Sequence, residues 1–226
     1  MRVGVAVPAA GSGQRMGGLR KPFLELAGEP VLVHALRPFL AQPSVVSVVV
    51  ALAAEDAAAP PAWITGLDER ISVVAGGDTR TESVGNALAA LPSDVDVIAV
   101  HDAARPLVTA EVVAECIALA AAGKGAVAGC PAVDTMKEVD GDGCVVSTAD
   151  RSRLWHAHTP QVFPAALLRE AYEKAGSGAT DDAALVERVG GLVRMVDGGA
   201  WNLKVTRPGD VPVAEALLRM RGEGDG

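Results

Sequence analysis

Fixed positive charge set among glycines is the pattern in this chain that carries the most chemistry. The segment Pro8-Ala9-Ala10-Gly11-Ser12-Gly13-Gln14-Arg15-Met16-Gly17-Gly18 closes an apolar run, and Arg20 and Lys21 follow it. Glycine-dense backbone after a first parallel strand presents N–H groups to an anion, and ligands of open α/β sheets sit at the carboxyl ends of strands. The segment therefore points to a phosphate-bearing ligand. A dinucleotide fingerprint needs a small residue where Met16 stands, and a Walker A loop needs Gly-Lys-Ser/Thr, which occurs nowhere in the chain.

Two further strand ends repeat the theme. His101-Asp102-Ala103-Ala104-Arg105-Pro106 sets an acid where it could accept from ribose hydroxyls or hold a metal, beside an arginine able to grip a phosphate bidentately. Gly76-Gly77-Asp78, running into Thr79-Arg80-Thr81-Glu82-Ser83, repeats the pattern of Gly, Asp and Arg after the third apolar run. The second half adds Arg151, Thr159-Pro160-Gln161, Thr180-Asp181-Asp182 and Asn202-Leu203-Lys204-Val205-Thr206-Arg207-Pro208. Lys204, between Leu203 and Val205 on an expected strand, would face opposite to them, either into a cleft or as an edge charge that deters aggregation. His156 and His158 would share a face of a strand, but no third metal ligand lies within sequence reach. No Ser/His/Asp or Cys/His constellation assembles.

The elements that must position these residues alternate. Continuously apolar runs at Val3 to Val7, Val45 to Leu52, Ile71 to Val74, Val97 to Val100 and Ala126 to Cys130 read as strands buried on both faces. Between them lie helical patterns over Val31 to Leu40, Thr81 to Leu91 and Ala110 to Ala122. The second opens on Thr79 and Glu82, a capping box, and the third on Thr109. Further helices are expected over Ala165 to Ala175, Asp181 to Val189 and Val211 to Met220, with a frayed tail from Arg221 to Gly226. The fold class is α/β: a doubly wound, mostly parallel sheet flanked by helices, in a single domain over 1–226. Met136 to Thr148 breaks the rhythm with two short β-type runs around Asp140-Gly141-Asp142-Gly143. That hairpin reads as a projecting arm, and a lone ribbon needs something to pack on, economically a partner subunit. Ala53 to Pro61 reads as a surface connection.

Composition closes off several classes. The 226 residues are half hydrophobic and 21% charged, which suits a folded chain and not a disordered one. Twenty Lys and Arg against 28 Asp and Glu leave a net charge of -8, and aromatics make up 3%, so nucleic acid is a poor partner. Cys116, Cys130 and Cys144 form no CxxC pair, which fits reduced thiols in a cytoplasmic protein. The longest apolar run is half of what a bilayer crossing needs, so no membrane span is expected.

Taken in order along nearly the whole chain, these segments resemble the 2-C-methyl-D-erythritol 4-phosphate cytidylyltransferases of the non-mevalonate isoprenoid pathway. The residues carrying the resemblance are Pro8 to Gly13 with Arg15-Met16, Lys21, Gly76-Gly77 with Arg80 and Ser83, His101 to Pro106, Asp134-Thr135-Met136-Lys137, Leu154 to Ala157 with Thr159-Pro160-Gln161, Ala179 to Asp182, and Lys204 to Pro208. The glycine loop alone would indicate only the wider nucleotide-sugar pyrophosphorylase superfamily.

The resemblance implies transfer of CMP from CTP to the sugar-alcohol phosphate with release of pyrophosphate, by a homodimer whose arm spans about 132–152. It implies Arg15 and Lys21 around the α-phosphate, and Arg151 and Lys204 around the attacking phosphate. Ala9, Ala10, Gly11, Gly13, Gly77, Asp78 and Ser83 would hold the nucleotide, with Asp102 at the ribose. Arg105, Thr135, Thr159 and Thr180 would surround the acceptor, Thr135 and Arg105 being lent by the neighbouring subunit. Mg2+ is implied as a cofactor held mainly by the CTP phosphates, with no side-chain metal ligand. The family usually has Pro before its loop lysine, whereas this chain reads Arg20-Lys21-Pro22, so either Lys21 or Arg20 stands at the position of the loop cation. The length argues against the fused form with a second, cyclase domain. A transferase for another polyol phosphate such as ribitol 5-phosphate, a catalytically silent nucleotide-binding protein and an NAD-dependent oxidoreductase are the alternatives, the last weakened by Met16.

Overall fold

The computed structural model describes residues 1–11, 21–174 and 179–222, with residues 21 and 222 described by their backbone alone. Strand β1 (Val3–Pro8) is followed by a small hairpin of β2 (Glu25–Leu26) and β3 (Glu29–Pro30), then by α1 (Val31–Leu40) and β4 (Val45–Leu52). Two short helices, α2 (Ala54–Ala58) and α3 (Ala62–Thr65), lead to β5 (Ile71–Ala75), α4 (Arg80–Ala90), β6 (Val97–Val100), α5 (Ala110–Ala121) and β7 (Gly125–Pro131). After them come β8 (Lys137–Val139), β9 (Val145–Thr148), β10 (Trp155–Pro164), α6 (Ala165–Lys174), α7 (Asp182–Arg188), β11 (Val193–Asp197) and α8 (Asp210–Gly222).

The main sheet has seven strands in the order β11-β7-β10-β6-β1-β4-β5. Strand β1 pairs in parallel with both β4 and β6, β4 with β5, and β11 with β7, while β10 runs antiparallel to β6 and β7. The continuous Val/Ile/Ala runs are dictated by burial on two faces. Val5, Val7, Val48 and Val50 meet Leu32, Leu36 and Phe39 of α1 and Val113 and Ile117 of α5. Ala6, Val49, Ile98 and Val100 face Val84 and Leu88 of α4, Leu168 of α6 and Leu185 of α7 on the other side. Each such buried aliphatic side chain is worth roughly 1.5–3 kcal/mol. A third cluster, Leu26, Val31, Leu107, Val205 and Ala214, seats α8 on the β2–β3 hairpin.

From β1 the chain moves outward to β4 and β5 and then returns to the opposite side of β1 as β6. That reversal opens a crevice at the carboxyl ends of β1 and β6, the switch point where open α/β sheets bind ligands. Helix α4 begins at Arg80 because Thr79 Oγ1 accepts from the Glu82 amide (3.1 Å) and the Glu82 carboxylate accepts from the Thr79 amide (3.0 Å), the expected capping box.

Several expectations need correction. Strand β11 has no counterpart among the apolar runs: Arg194 and Asp197 interrupt its apolar residues, and of the five only Val196 is fully buried, as befits an edge strand. Lys204 does not lie on a strand, since residues 202–206 are irregular and the Val205 amide bonds to Ala104 O (2.8 Å) instead of a ladder. Ala53 to Pro61 contains the short helix α2. Asp181, expected as a helical residue, is the N-cap of α7, its carboxylate accepting from the Ala184 amide. Helix α8 runs on through Arg221 to Gly222 where a frayed tail was expected, and 223–226 lie outside the described residues.

Strands β8 and β9 pair Lys137 with Thr148 and Glu138 with Ser147. Their turn is held by Asp140 Oδ1, which accepts from the amides of Asp142 (3.0 Å) and Cys144 (2.9 Å), with Gly143 supplying φ 82°. The ribbon is exposed on every residue, and Val133, Val139, Val145 and Val146 stand 74%, 55%, 59% and 62% exposed.

Candidate active site

A cleft of about 500 Å³ opens at the switch point, walled by Pro8, Ala9, Ala10 and Gly11 after β1, by Gly77, Asp78, Thr79, Arg80 and Ser83 where β5 turns into α4, by Asp102, Ala103 and Ala104 after β6, and by Pro22 and Lys204. The β5–α4 turn needs glycines for space: a Cβ on Gly76 would lie 2.5 Å from Ala10 Cβ, and one on Gly77 2.3 Å from Glu82 Cβ. Ser83, almost fully buried, donates its hydroxyl to Thr79 O (2.9 Å) and accepts from the Gly77 amide (3.2 Å), which ties the turn to α4.

Charge concentrates on Asp102. Its Oδ1 accepts from Arg80 Nε at 2.9 Å and its Oδ2 from Lys204 Nζ at 2.7 Å, with Arg105 Nε 3.9 Å away. Burial alone would raise the Asp102 carboxyl, but Arg80 first and then Lys204 outweigh it and hold the group far below the usual carboxylate range. Arg80 also donates from its terminal nitrogen to Asp182 Oδ2 at 2.8 Å. Burial opposes the Arg80 charge, yet Asp182 and Asp102 together push its pKa above the ordinary value. Lys204 is brought to the cleft by Val205, which is fully buried beside Leu107.

Behind Asp102, its amide donates to Thr159 Oγ1 (2.9 Å), and Thr159 Oγ1 lies 3.1 Å from His101 Nδ1. Arg105 does not line the cleft. It donates to Asn202 O (2.7 Å), and Asn202 in turn donates to Thr159 O (2.9 Å). His158, half-buried on β10, has its pKa pushed down to about 4 by burial, then by the Arg105 guanidinium and then by His156.

The sequence-derived residues thus fall into four groups. Ala9, Ala10, Gly11, Gly77, Asp78, Ser83, Asp102 and Lys204 line one cleft, with Thr159 and Arg105 behind Asp102. Arg151 and Thr135 belong to the arm, where the Arg151 guanidinium donates to Val133 O at its root and Thr135 is exposed. Thr180 is exposed just before α7. Gly13, Arg15 and the Lys21 side chain lie outside the described residues, as does Arg20. Three site residues had no role in the sequence reading: Arg80, Asp182 and Tyr172. The first two sit inside quoted motifs, whereas a lone Tyr172 on a helix carries no sequence signal.

Among the described residues no group of three or more His, Cys, Asp or Glu side chains is placed to hold a metal. Asp102, the buried carboxylate of the cleft, is committed to two cations, so the cleft is not built as a protein-held divalent site. No helix among the described residues is long and apolar enough to cross a membrane.

This sheet order, with glycine backbone and paired cations at the switch point, is that of a Rossmann-like nucleotide-binding protein. Known proteins narrow it further: the family model for 2-C-methyl-D-erythritol 4-phosphate cytidylyltransferase (IspD) matches residues 3–220. The chain is 47% identical over 220 residues to the enzyme of that name from Symbiobacterium thermophilum, covering 96% of this chain and 92% of the relative. It is 42% identical over 236 residues to that from Acidobacterium capsulatum, covering 98% and 99%. Among solved structures, the 4-diphosphocytidyl-2C-methyl-D-erythritol synthase of Anaerococcus prevotii superposes with a TM-score of 0.86 at 28% identity, covering 96% of each chain. The Thermus thermophilus cytidylyltransferase gives 0.79 at 35% identity, covering 97% of this chain and all of that one. The chain belongs to the 2-C-methyl-D-erythritol 4-phosphate cytidylyltransferase family.

Proposed function

We propose that this protein transfers CMP from CTP to 2-C-methyl-D-erythritol 4-phosphate, giving 4-CDP-2-C-methyl-D-erythritol and pyrophosphate. The observation that carries the reading is the cleft itself, where glycine and alanine backbone from two strand ends faces Lys204 and Arg80 across Asp102. The acceptor phosphate is an anion at neutral pH, so the nucleophile needs no general base. Its oxygen attacks the α-phosphorus of CTP in line, the new P–O bond forms, and the bond to the β-phosphate oxygen breaks to release pyrophosphate. The barrier is repulsion between two polyanions, which fixed cations and alignment relieve.

Arg15 and Lys21 stabilise charge around the α-phosphate, and Arg151 and Lys204 place the attacking phosphate. Asp102 takes the ribose hydroxyls, with Ala9, Ala10, Gly11, Gly13, Gly77, Asp78 and Ser83 around the nucleotide. Thr180 serves the acceptor, while Thr159, buried behind Asp102, holds the Asp102 turn through its hydroxyl. The arm over 132–152 pairs two subunits, so that Thr135 serves the neighbour's acceptor site, and the exposed valines of the ribbon support that pairing, while Arg105, held to Asn202 O beside Asp102 of its own subunit, stays with its own site instead of being lent. Mg2+ would be held mainly by the triphosphate oxygens of CTP and not by side chains of this protein, and would supply charge neutralisation there. The reading places the protein in the cytoplasm.

Pyrophosphate release from each of the four nucleoside triphosphates, with 2-C-methyl-D-erythritol 4-phosphate and then ribitol 5-phosphate as acceptor, tests the proposal. Turnover with CTP and methylerythritol phosphate, well above every other pairing, is expected. Equal or greater turnover with ribitol phosphate would reassign the acceptor, and no release from any pairing would remove the activity.

A further inference from the structure

Tyr172, Asp182 and Arg80 form a chain of contacts that begins in the helical layer and ends at the cleft. Asp182, in the first turn of α7, is fully buried and carries no exposed side-chain surface. A buried carboxylate is costly unless both oxygens are satisfied. Here Oδ2 accepts from Arg80 at 2.8 Å and Oδ1 accepts from the Tyr172 hydroxyl on α6. Burial first and then Asp182 hold the phenol pKa above its ordinary value, so the hydroxyl stays a donor. Tyr172 also lies against α4 at Gly85, the helix whose first residue is Arg80.

The guanidinium is thereby anchored on a group that cannot move far, and its other edge meets Asp102 Oδ1 at 2.9 Å. Lys204 meets the other oxygen of the same carboxylate, but its side chain is 39% exposed against 29% for Arg80, and it has a flexible stem. One cation on Asp102 is fixed from behind and the other is free to swing.

We infer that Arg80, braced by Asp182 and Tyr172, is a positioning residue that holds Asp102 in place while Lys204 leaves it for an arriving phosphate. The inference rests on the reaction proposed above. With Arg80 anchored, Asp102 keeps a partner and an orientation toward the nucleotide when Lys204 departs. Without the brace, Arg80 would follow the incoming anion as well, and Asp102 would lose both partners.

Steady-state pyrophosphate release by Arg80→Lys, Asp182→Asn and Tyr172→Phe, beside thermal unfolding of each, tests this. Arg80→Lys keeps the charge but loses the fork that bridges two carboxylates, so a rise in KM for CTP of about tenfold is expected, with kcat changed by less than about threefold. Asp182→Asn should match it, and adding Asp182→Asn to Arg80→Lys should raise KM little further, because the link is already cut. Tyr172→Phe keeps the ring and should raise KM by about threefold. The acid limb of kcat/KM should move to higher pH in Arg80→Lys, since Asp102 would then be held chiefly by Lys204, beside Arg105 and the neighbouring His101.

A merely structural role would reduce the folded fraction, lowering kcat and leaving KM and the acid limb alone. KM within twofold of wild type in all three variants, with the limb unmoved, overturns the inference. Should Arg80→Lys or Asp182→Asn not fold, Tyr172→Phe decides by the same KM ratio. Should the wild type itself release no pyrophosphate, the proposed reaction fails, and the variants are compared by the Kd of Mg·CTP, where unchanged values overturn the positioning role.

Discussion

His101 can be assigned a protonation state from its neighbours. Its ring is fully buried, 4.9 Å centroid to centroid from Phe39, and burial pushes its pKa down to about 4. Nε2 lies 3.1 Å from Arg105 O, which can only accept, so Nε2 carries the proton and Nδ1 accepts from the Thr159 hydroxyl. Thr159 Oγ1 then accepts from the Asp102 amide, and the turn bearing Asp102 and Arg105 is closed on itself. A histidine titrating near 6.5 when unfolded and near 4 when folded leaves the unfolded state holding the extra proton between those values. Its contribution is therefore intact above about pH 6.5 and falls as pH drops toward 4, by about 3 kcal/mol in total. Urea unfolding at pH 7 and pH 5 should show a larger loss for wild type than for His101→Gln, and equal losses would contradict the neutral assignment. At the same scale, Arg151→Ala should raise KM for the sugar phosphate by about tenfold and KM for CTP much less, since removing one charge-assisted contact affects the partner it touches. Initial-rate kinetics with each substrate varied would show it, and equal effects would dissolve the division of roles between Arg151 and the loop cations.

The turn between β5 and α4 shows how close packing and capping build one wall of the cleft. Gly76→Ala would drive a Cβ into Ala10, Ser83 Oγ and Leu52 O, so a stability loss of about 1–3 kcal/mol is expected, together with a raised KM for CTP. Denaturant titration and kinetics check both, and an unchanged midpoint would mean the turn can yield. Thr79→Ala removes the cap of α4 at the cleft wall and should cost about 1 kcal/mol. These features were legible because capping and glycine-dense turns are local: Thr79, Glu82, Gly76 and Gly77 announce themselves in a few residues. The five apolar runs were legible for the same reason, each being buried on both faces. What the sequence hid depends on distant partners. Strand β11 carries Arg194 and Asp197 among its apolar residues because it is an edge, Lys204 lies on irregular chain because Val205 bonds to Ala104 instead of a strand, and the brace from Tyr172 through Asp182 to Arg80 joins residues up to 102 positions apart.

At the scale of the whole molecule, the arm sets exposed apolar ribbon against a compact sheet. Val145→Lys with Val146→Asp should leave the sheet folded, shift the protein toward monomer in sedimentation equilibrium and lower activity, because each site would lose the arm of its neighbour. A dimer unaffected by those changes would place the interface elsewhere. The charges proposed to act together come from stretches far apart in the chain: Arg15 and Lys21 from the sequence that follows β1, Arg151 from the arm root, and Lys204 from the segment before α8. Fold-level resemblance locates such a site but does not make it work, and the claim that fixed cations bring two anions together is a claim about rate. Turnover of Arg15→Ala and Lys21→Ala at saturating CTP and methylerythritol phosphate tests it most directly. Each should fall by a factor on the order of 100 to 1000, as loss of one preorganised donor does, and near wild-type turnover in both would contradict it.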